Sequence, residues 1–296
     1  MKIGVNSMVL ENDFDLNEAI RVADKLGFDN YEIDIGLKAI SEGKKWNEAK
    51  LEWDKKIENI KSMSEALNIG FETMCLGVLW CYSLASSNQE EQNQGIKIIL
   101  DALNWAELIG TKYFLIPVGH PKELTKQQAK ANLIKLLENT NVIKKAEESG
   151  VTLCLENVCQ KVLYTAEDLV EVIDHFKSDN LKVYYDVGNQ LFIDLEPYEE
   201  ISKIGKRIAC VHLKDIKDGK RAGKSTPLSV VTGDFSIWNT KLTVNIGKGR
   251  VDYGRIKNKL EEIGYTGNYI IEIPQEKGKV IEGAKYNLKF LRDLGF

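Results

Sequence analysis

The chain has 296 residues, of which 43% are hydrophobic and 28% charged, and its formal net charge is -4. This composition is typical of a globular protein, without the broad basic excess that neutralises the phosphates of nucleic acid or anionic lipid. No stretch approaches the ~20 apolar residues of a membrane span, and residues 1–8 lack the apolar segment of a signal peptide. We therefore expect no nucleic acid and no membrane as partners.

The cysteines form an odd set without the CxxC spacing of a metal site: Cys75, Cys81, Cys154, Cys159 and Cys210. Three of them lie in strand-like apolar runs, which favours buried, reduced thiols. Because reduced thiols are typical of the cytoplasm, we expect a cytoplasmic protein.

Strand-like apolar runs alternate with helical patterns along the chain. The strand-like runs cover residues 3–8, 31–35, 70–76, 113–117, 152–156, 182–186, 208–213 and 269–273. Helical spacing follows each run, at about 15–27, 47–68, 88–110, 124–149, 165–177, 198–206, 253–264 and 280–294. Eight strand–helix units without a linker or a change of composition predict an α/β fold, a single (β/α)8 TIM barrel over 1–296.

A doubly wound open sheet is the alternative architecture. It requires a glycine-rich phosphate loop after the first strand, but residues 6–12 read NSMVLEN and contain no GxGxxG or GxxxxGK[ST] motif. The pattern therefore favours the barrel.

Two connections after strands are unusually long, at residues 77–87 and about 216–246. Long loops in a compact domain are usually functional, and loops that follow barrel strands lie on the face that carries active sites. We expect both to form walls or lids over a site. For the second loop, a variable insertion packed on the rim is the alternative.

Glu156, Asp186, His212 and Glu272 end the last four predicted strands. A charged group at the end of a buried strand is costly to desolvate unless something pairs with it, and neighbouring strand ends converge on the barrel mouth. Oxygen-rich ligation with one imidazole suits Mn²⁺, the ion we favour, with Mg²⁺, Co²⁺ or Zn²⁺ as alternatives. Taken singly, each residue is equally compatible with a rim carboxylate or a hydrogen-bonded histidine.

At these residues the chain resembles the sugar phosphate isomerase/epimerase family of xylose isomerase-like TIM barrels. The matching segments are 155–157 (LEN), 186–189 (DVGN), 211–215 (VHLKD), 247–253 (GKGRVDY) and 271–273 (IEI). The segments DVGN and HLKD are particularly similar to the branch with hexulose-6-phosphate isomerases and L-ribulose-5-phosphate 3-epimerases, as is 73–76 (TMCL) in the third strand.

The resemblance implies that Glu156, Asp186, His212 and Glu272 bind one divalent metal ion and that Glu156 and Glu272 are also the catalytic acid/base pair. A chelated ketose would lose a carbon-bound proton to one carboxylate and pass through a cis-enediolate. Return of the proton to the opposite face of the same carbon gives epimerisation, and return to the adjacent carbon gives aldose–ketose isomerisation. The implied partner is a small sugar or sugar phosphate.

Five further residues are candidates for substrate binding: Glu32, Trp80, His120, Asn189 and Lys214. Asp34, near the end of the same predicted strand as Glu32, could also hydrogen-bond a substrate hydroxyl, and for both residues an internal polar contact is the equal alternative. For His120 the alternative is a rim histidine, and for Lys214 it is an ion pair with Asp215.

The phosphorylation state of the substrate is left open by the sequence. Asn189 replaces a histidine of the non-phosphorylated ketose 3-epimerases, and Trp80 lies where the phosphate branch carries basic residues. Lys214, Arg221, Lys224, Lys248 and Arg250 nevertheless lie on loops of the same face. The turn at 247–249 either offers N–H groups to an anion or simply precedes the next helix.

Related activities remain as alternatives. An inosose isomerase or dehydratase of the same superfamily is one, and a non-catalytic sugar-binding barrel is another. Endonuclease IV shares the barrel, but its three zinc ions need more than the three histidines of this chain, which is also acidic. A homo-oligomer is left open.

Overall fold

The fold is seen in a computed structural model that describes residues 1–36, 39–40, 44–119, 121–158, 162–193, 195–217 and 243–296. The strands are β1 (Lys2–Asn6), β2 (Asn30–Asp34), β3 (Thr73–Cys75), β4 (Tyr113–Ile116), β5 (Thr152–Glu156), β6 (Leu181–Asp186), β7 (Ile208–Leu213), β8 (Asp215–Ile216), β9 (Thr243–Val244) and β10 (Asn268–Ile271). The helices are α1 (Leu16–Leu26), α2 (Trp46–Ser64), α3 (Gln89–Ile109), α4 (Lys126–Asn139), α5 (Val142–Glu148), α6 (Ala166–Phe176), α7 (Pro197–Ile204), α8 (Tyr253–Glu262) and α9 (Val280–Asp293).

Strands β1 to β7 and β10 form a closed parallel barrel in which chain order is kept around the ring. Strand β1 pairs with β2 on one side and with β10 on the other, which closes the sheet. The predicted (β/α)8 architecture is therefore confirmed. Strands β8 and β9 form a separate antiparallel pair above β7, with Asp215 opposite Val244.

The inside of the barrel has its own packed layer, formed by inward-facing residues of six strands: Cys75, Leu115, Cys154, Tyr184, Cys210 and Ile270. A larger apolar cluster fills the space between the strands and the surrounding helices. Each fully buried large apolar side chain contributes about 1.5–3 kcal/mol. Three of the predicted buried thiols belong to the inner layer, and they are unpaired.

Local sequence signals determine where the helices begin and end. Asp15 caps α1 in a reciprocal arrangement with Glu18, and Gly27 ends that helix with a positive φ of 85°. The single helix predicted at 124–149 is wrong, because α4 and α5 are separated at Thr140. That residue is extended and its hydroxyl donates to the carbonyl of Leu136 at 2.9 Å, a side-chain bond that competes with helix continuation.

The two long connections differ in what the structure describes. Residues 77–81 form a short 3-10 helix that leads into the rest of the first loop. Most of the second loop, residues 218–242, lies outside the described residues, and its two ends pair as β8 and β9. None of the helices in the described ranges combines the length and apolar composition that a bilayer span requires.

Candidate active site

Four strands bring their last inward-facing residues together at the mouth of the barrel. Along a strand, residues two apart point to the same side. Each site residue therefore lies two residues beyond a member of the inner layer, nearer the mouth of the barrel. Glu156 follows Cys154 in this way, and His212 follows Cys210. One ligand atom each from Glu156, Asp186 and His212 lies within 4.8 Å of the others, and all three residues are buried. The predicted convergence of these three side chains is found in the structure.

Asp186 is held in place by bonds to the backbone and to Asn157. Its Oδ1 accepts the backbone N–H groups of Gly188, at 2.7 Å, and Asn189, at 3.0 Å. The side chain of Asn157 bonds both the N–H and the carbonyl of Asp186, which ties the end of β5 to that of β6. These contacts fix one carboxylate oxygen and turn Oδ2 toward the site.

His212 is oriented from below by Glu32. Its Nε2 lies 2.6 Å from Oε1 of Glu32, and both side chains are fully buried. The hydroxyl of Tyr184 donates to the same carboxylate at 2.8 Å. Glu32 was a predicted substrate-binding residue with an internal polar contact as the alternative, and the structure places it in that internal position. The arrangement leaves Nδ1 of His212 facing the site.

Glu272, the fourth predicted ligand, follows the last barrel strand and contacts this group, although it is not among the three residues whose ligand atoms lie within 4.8 Å of one another. Lys214 bridges Glu272 to Asp186. Oε2 of Glu272 lies 3.5 Å from Nδ1 of His212. The ammonium group of Lys214 lies 2.8 Å from Oδ2 of Asp186 and 2.5 Å from Oε2 of Glu272. Lys214 therefore pairs with these carboxylates, whereas the alternative stated from the sequence was an ion pair with Asp215.

The donor set fits a divalent metal ion. Nδ1 of His212 is buried and has no hydrogen-bond partner among the described residues. A histidine whose other nitrogen is bound to a carboxylate is the common arrangement of a metal-binding imidazole. With the carboxylates of Glu156, Asp186 and Glu272 beside it, this nitrogen completes an oxygen-rich set that suits hard or borderline divalent ions.

Burial and mutual charge shift the pKa values of these groups. Burial alone lowers the pKa of His212, but the carboxylates of Glu32 and Glu272 raise it to about 10. Burial and the charge of Glu272 raise the pKa of Glu156 to about 8. Although burial favours the protonated acid, Lys214 and His212 hold the pKa of Glu272 below its usual range. A bound cation would lower the pKa of every carboxyl group that faces it.

A cavity of about 470 Å³ opens above these residues, which is within the range of small-molecule sites. Glu156, Asn189, Lys214 and Glu272 line one part of it, and Trp80 lies in its wall. The amide of Asn189 donates to Oε1 of Glu156 at 3.3 Å. The predicted candidate His120 lies outside the described residues.

The turn at 247–249 binds an anionic group that belongs to the chain itself. The carboxylate of Asp215 accepts the N–H groups of Gly247, at 2.9 Å, Gly249, at 3.0 Å, and Val251, at 3.1 Å. A Cβ at Gly249 would lie 2.2 Å from the carbonyl oxygen of Ile216, so only glycine fits there. The sequence left two alternatives for this turn, binding of an anion or a simple turn before the next helix. The structure shows the second, with its glycine N–H groups bound to a carboxylate of the chain.

Sequence reasoning missed several residues that shape the site. Asn157 was seen only as part of a motif, although its side chain links β5 and β6. Glu11, Trp53 and Lys56 line the cavity from the segment after β1 and from α2. The position of Glu11 after the first strand was the available signal. Nothing in the pattern of α2 distinguishes the residues that reach the cavity.

Comparison with known proteins agrees with this geometry. The family model described as xylose isomerase-like TIM barrel matches residues 20–294. The L-ribulose-5-phosphate 3-epimerase UlaE of Salmonella paratyphi A is 23% identical over 266 residues, which cover 88% of this chain and 82% of the relative.

Solved structures with the same fold include two that were determined with a ligand. The D-psicose 3-epimerase of Clostridium cellulolyticum H10, solved with D-tagatose, is 19% identical, with a TM-score of 0.75 and 99% of each chain covered. The IOLI protein, solved with a zinc atom, is 18% identical, with a TM-score of 0.76 and coverage of 99% of this chain and 98% of that one. At these identities the likeness concerns the fold.

Proposed function

We propose that this chain, which belongs to the xylose isomerase-like TIM barrel family, is a metal-dependent enzyme that epimerises or isomerises a small sugar. The convergence of Glu156, Asp186 and His212 on one point, with Nδ1 of His212 turned to it, is the observation that carries the proposal. The relatives and structural neighbours named as sugar epimerases support the same class of reaction.

The proposed metal ligands are Glu156, Asp186, His212 and Glu272. When bound, a divalent ion supplies a Lewis acid that acidifies the proton on the carbon next to the substrate ketone. We favour Mn²⁺ because three carboxylates and one imidazole form a largely oxygen set. Zn²⁺ is the main alternative, since the IOLI protein of the same fold was solved with zinc.

The proposed acid/base pair is Glu156 and Glu272. These residues come from β5 and from the loop after β10, the first and last strands of the set, so they approach a substrate from two sides. One carboxylate removes the carbon-bound proton, and the other returns a proton from the opposite face, which inverts that carbon. The ammonium group of Lys214, 2.5 Å from Glu272, stabilises the ionised form of this carboxylate. This placement favours epimerisation over isomerisation.

The same site is compatible with an inosose isomerase. The fold similarity to the IOLI protein is the observation that keeps this second candidate. An inosose also carries a ketone beside a hydroxyl-bearing carbon, so the same two carboxylates would act on it. We place the enzyme in the cytoplasm, because Cys75, Cys154 and Cys210 are unpaired thiols.

The test is isotope exchange in deuterated water. The Mn²⁺-loaded full chain is incubated with ketoses, ketose phosphates and inosose, and deuterium at the carbon beside the ketone is followed by NMR. We expect exchange with at least one ketose, and a Glu272→Gln variant should lose about 10³-fold in rate. Glu276→Gln, a change at an exposed carboxylate on the same loop paired with Lys279, is the matched control. Metal-loaded protein that exchanges none of these compounds would contradict the proposal.

A further inference from the structure

The metal-type residues occupy only half of the barrel mouth. They come from β5, β6, β7 and the end of β10, which are consecutive around the ring. Strands β1 to β4 form the opposite half. A substrate held by its ketone end at the first half must place the rest of its carbon chain against the second.

Asp34 is the carboxylate that ends β2 in this opposite half, and it lines the cavity. It lies two residues beyond Glu32 on the same side of the strand, about 6.6 Å nearer the mouth. Glu32 therefore supports His212 from inside the barrel, whereas Asp34 stands at the level where a substrate would lie.

The Asp34 carboxyl group has an unmet capacity for hydrogen bonds. Its Oδ1 is buried and has no partner among the described residues. The thiol of Cys75 bonds to the carboxyl group of Asp34. Burial raises the pKa of this carboxyl group to about 7. A Cβ at Gly77 would lie 2.7 Å from Oδ1, so a glycine there leaves room for the acid. Buried polar atoms without partners are rare in folded proteins, and this one belongs to a side chain that is partly exposed and lines the cavity.

The described surroundings of Asp34 are poorly suited to a phosphate group. Away from the metal-type residues, the described lining carries three carboxyl groups, of Glu11, Asp34 and Glu52, and the ammonium group of Lys56. Lys56 lies near Glu52 and 4.4 Å from the centre of the Trp53 ring. In the 247–249 turn, the N–H groups of Gly247 and Gly249 donate to Asp215 and that of Lys248 donates to the carbonyl of Asn245. A dianion at this end would meet like charges.

We propose that Asp34 is a specificity-determining residue that hydrogen-bonds a hydroxyl group at the end of the substrate remote from the metal site, and that the substrate is a ketose without a terminal phosphate. The inference rests on the proposed function and extends it to the substrate class. A hydroxyl group both donates and accepts, so it matches the carboxyl oxygens of Asp34 where a phosphate does not.

The experiment compares free and phosphorylated substrates. Mn²⁺-loaded full chain is assayed by deuterium exchange with ketopentoses and ketohexoses, and with the same sugars phosphorylated on the terminal carbon. We expect kcat/KM to be at least about 10-fold higher for a free ketose, the effect of one good hydrogen bond or one unfavourable charge contact.

Two variants test Asp34 itself. Asp34→Ala should raise KM for the preferred free ketose about 10-fold and change kcat little, while Asp34→Asn, which keeps a donor and an acceptor, should stay within about 3-fold of the parent. The dissociation constant for Mn²⁺, measured by calorimetry, should not change in either variant. Asp179→Asn, at an exposed residue just before β6 on the opposite end of the barrel, is the matched control.

The outcomes separate the two proposals. A preference for the phosphorylated ketose, or an unchanged KM in Asp34→Ala, would overturn the assignment of Asp34 and leave the sugar epimerase or isomerase in place. Exchange with neither kind of ketose would overturn the proposed function, and this inference with it.

Discussion

Nε2 of His212 lies 2.6 Å from Oε1 of Glu32, although the two residues are 180 positions apart in the chain. This contact determines which imidazole nitrogen is available to bind a metal ion. With Nε2 bound to the carboxylate, Nδ1 is the atom that faces Glu272. The geometry of the proposed metal centre therefore depends on a residue that is not itself a proposed ligand.

Glu32→Gln should weaken metal binding. The amide retains the size of the side chain but loses the charge that orients and polarises the imidazole, so we expect a dissociation constant for Mn²⁺ about 10–100-fold higher. Titration against a chromogenic chelator measures this constant. The matched control is Glu138→Gln, at the exposed pair in which Glu138 lies 2.7 Å from Nε2 of His175. Equal Mn²⁺ affinity in the two variants would contradict the orienting role of Glu32.

Lys214→Met should change metal affinity and metal-free stability in opposite directions. The ammonium group pairs with Asp186 and Glu272, two of the proposed ligands, so it competes with a cation for the same oxygens. Without it, the metal-free protein should lose about 3 kcal/mol of unfolding free energy, because two buried carboxylates lose a partner. Affinity for Mn²⁺ should rise about 10-fold.

Calorimetry and urea unfolding in a chelator check the two effects of Lys214→Met. Lys217→Met, which removes an exposed lysine three residues further along, serves as the control. A Lys214→Met variant with unchanged Mn²⁺ affinity would show that the ammonium group does not compete with the ion.

Asp34→Asn should stabilise the metal-free protein at high pH. Burial raises the pKa of Asp34 from its ordinary 3.8 to about 7, the Cys75 thiol opposes the shift, and Glu11, Glu272 and Glu32 add to it. Between these two values the folded protein holds a proton that the unfolded chain releases, so stability falls as pH rises. At pH 8, above both pKa values, the unfolding free energy of the variant should exceed that of the parent by about 4 kcal/mol.

The sign of the Asp34 effect is checked by urea unfolding from pH 4 to pH 8. The advantage of Asp34→Asn should shrink toward pH 4, because near the ordinary pKa of 3.8 the unfolded parent also begins to bind the proton that the folded parent holds. A stability advantage that does not vary with pH would contradict a raised pKa of Asp34 in the folded protein.

Asp215→Ala should destabilise the protein more than the loss of an ordinary helix cap. The Asp215 carboxylate accepts N–H groups from the turn that carries Gly247 and Gly249, so its loss leaves several donors unpaired. We expect a cost of about 2–3 kcal/mol. Asp252→Ala, which removes the cap of α8 where Asp252 accepts the N–H of Arg255, should cost about 1 kcal/mol. Thermal unfolding ranks the two, and an equal loss would contradict the larger role of Asp215.

The candidate site residues at strand ends were predictable, because a charged group at the end of an apolar run can be recognised from the sequence alone. Glu156 and His212 illustrate this: Glu156 ends β5, His212 is the last inward-facing residue of β7, and each lies two residues beyond a buried thiol, Cys154 or Cys210. The alternation in β2 also places Glu32 and Asp34 on one side of that strand.

The contacts that these side chains make with one another could not be predicted from the sequence. Whether Glu32 contacts substrate or His212 depends on how deep each strand sits in the ring, which is set by the pairing of all eight strands. The pairing of Lys214 has the same origin, since its partners lie on β6 and after β10 rather than beside it in sequence. The predicted end of a helix was wrong where a local side-chain hydrogen bond determines it, as at Thr140.

The contact between Glu32 and His212 also links metal binding to completion of the fold. All four proposed ligands belong to the C-terminal half of the chain, whereas the carboxylate that orients the imidazole is on β2. A C-terminal half-barrel on its own would carry every ligand and still lack the group that holds His212 in position. Tight binding of the ion would therefore report that the two halves of the ring have joined, and contacts of such long sequence separation form late and slowly in folding.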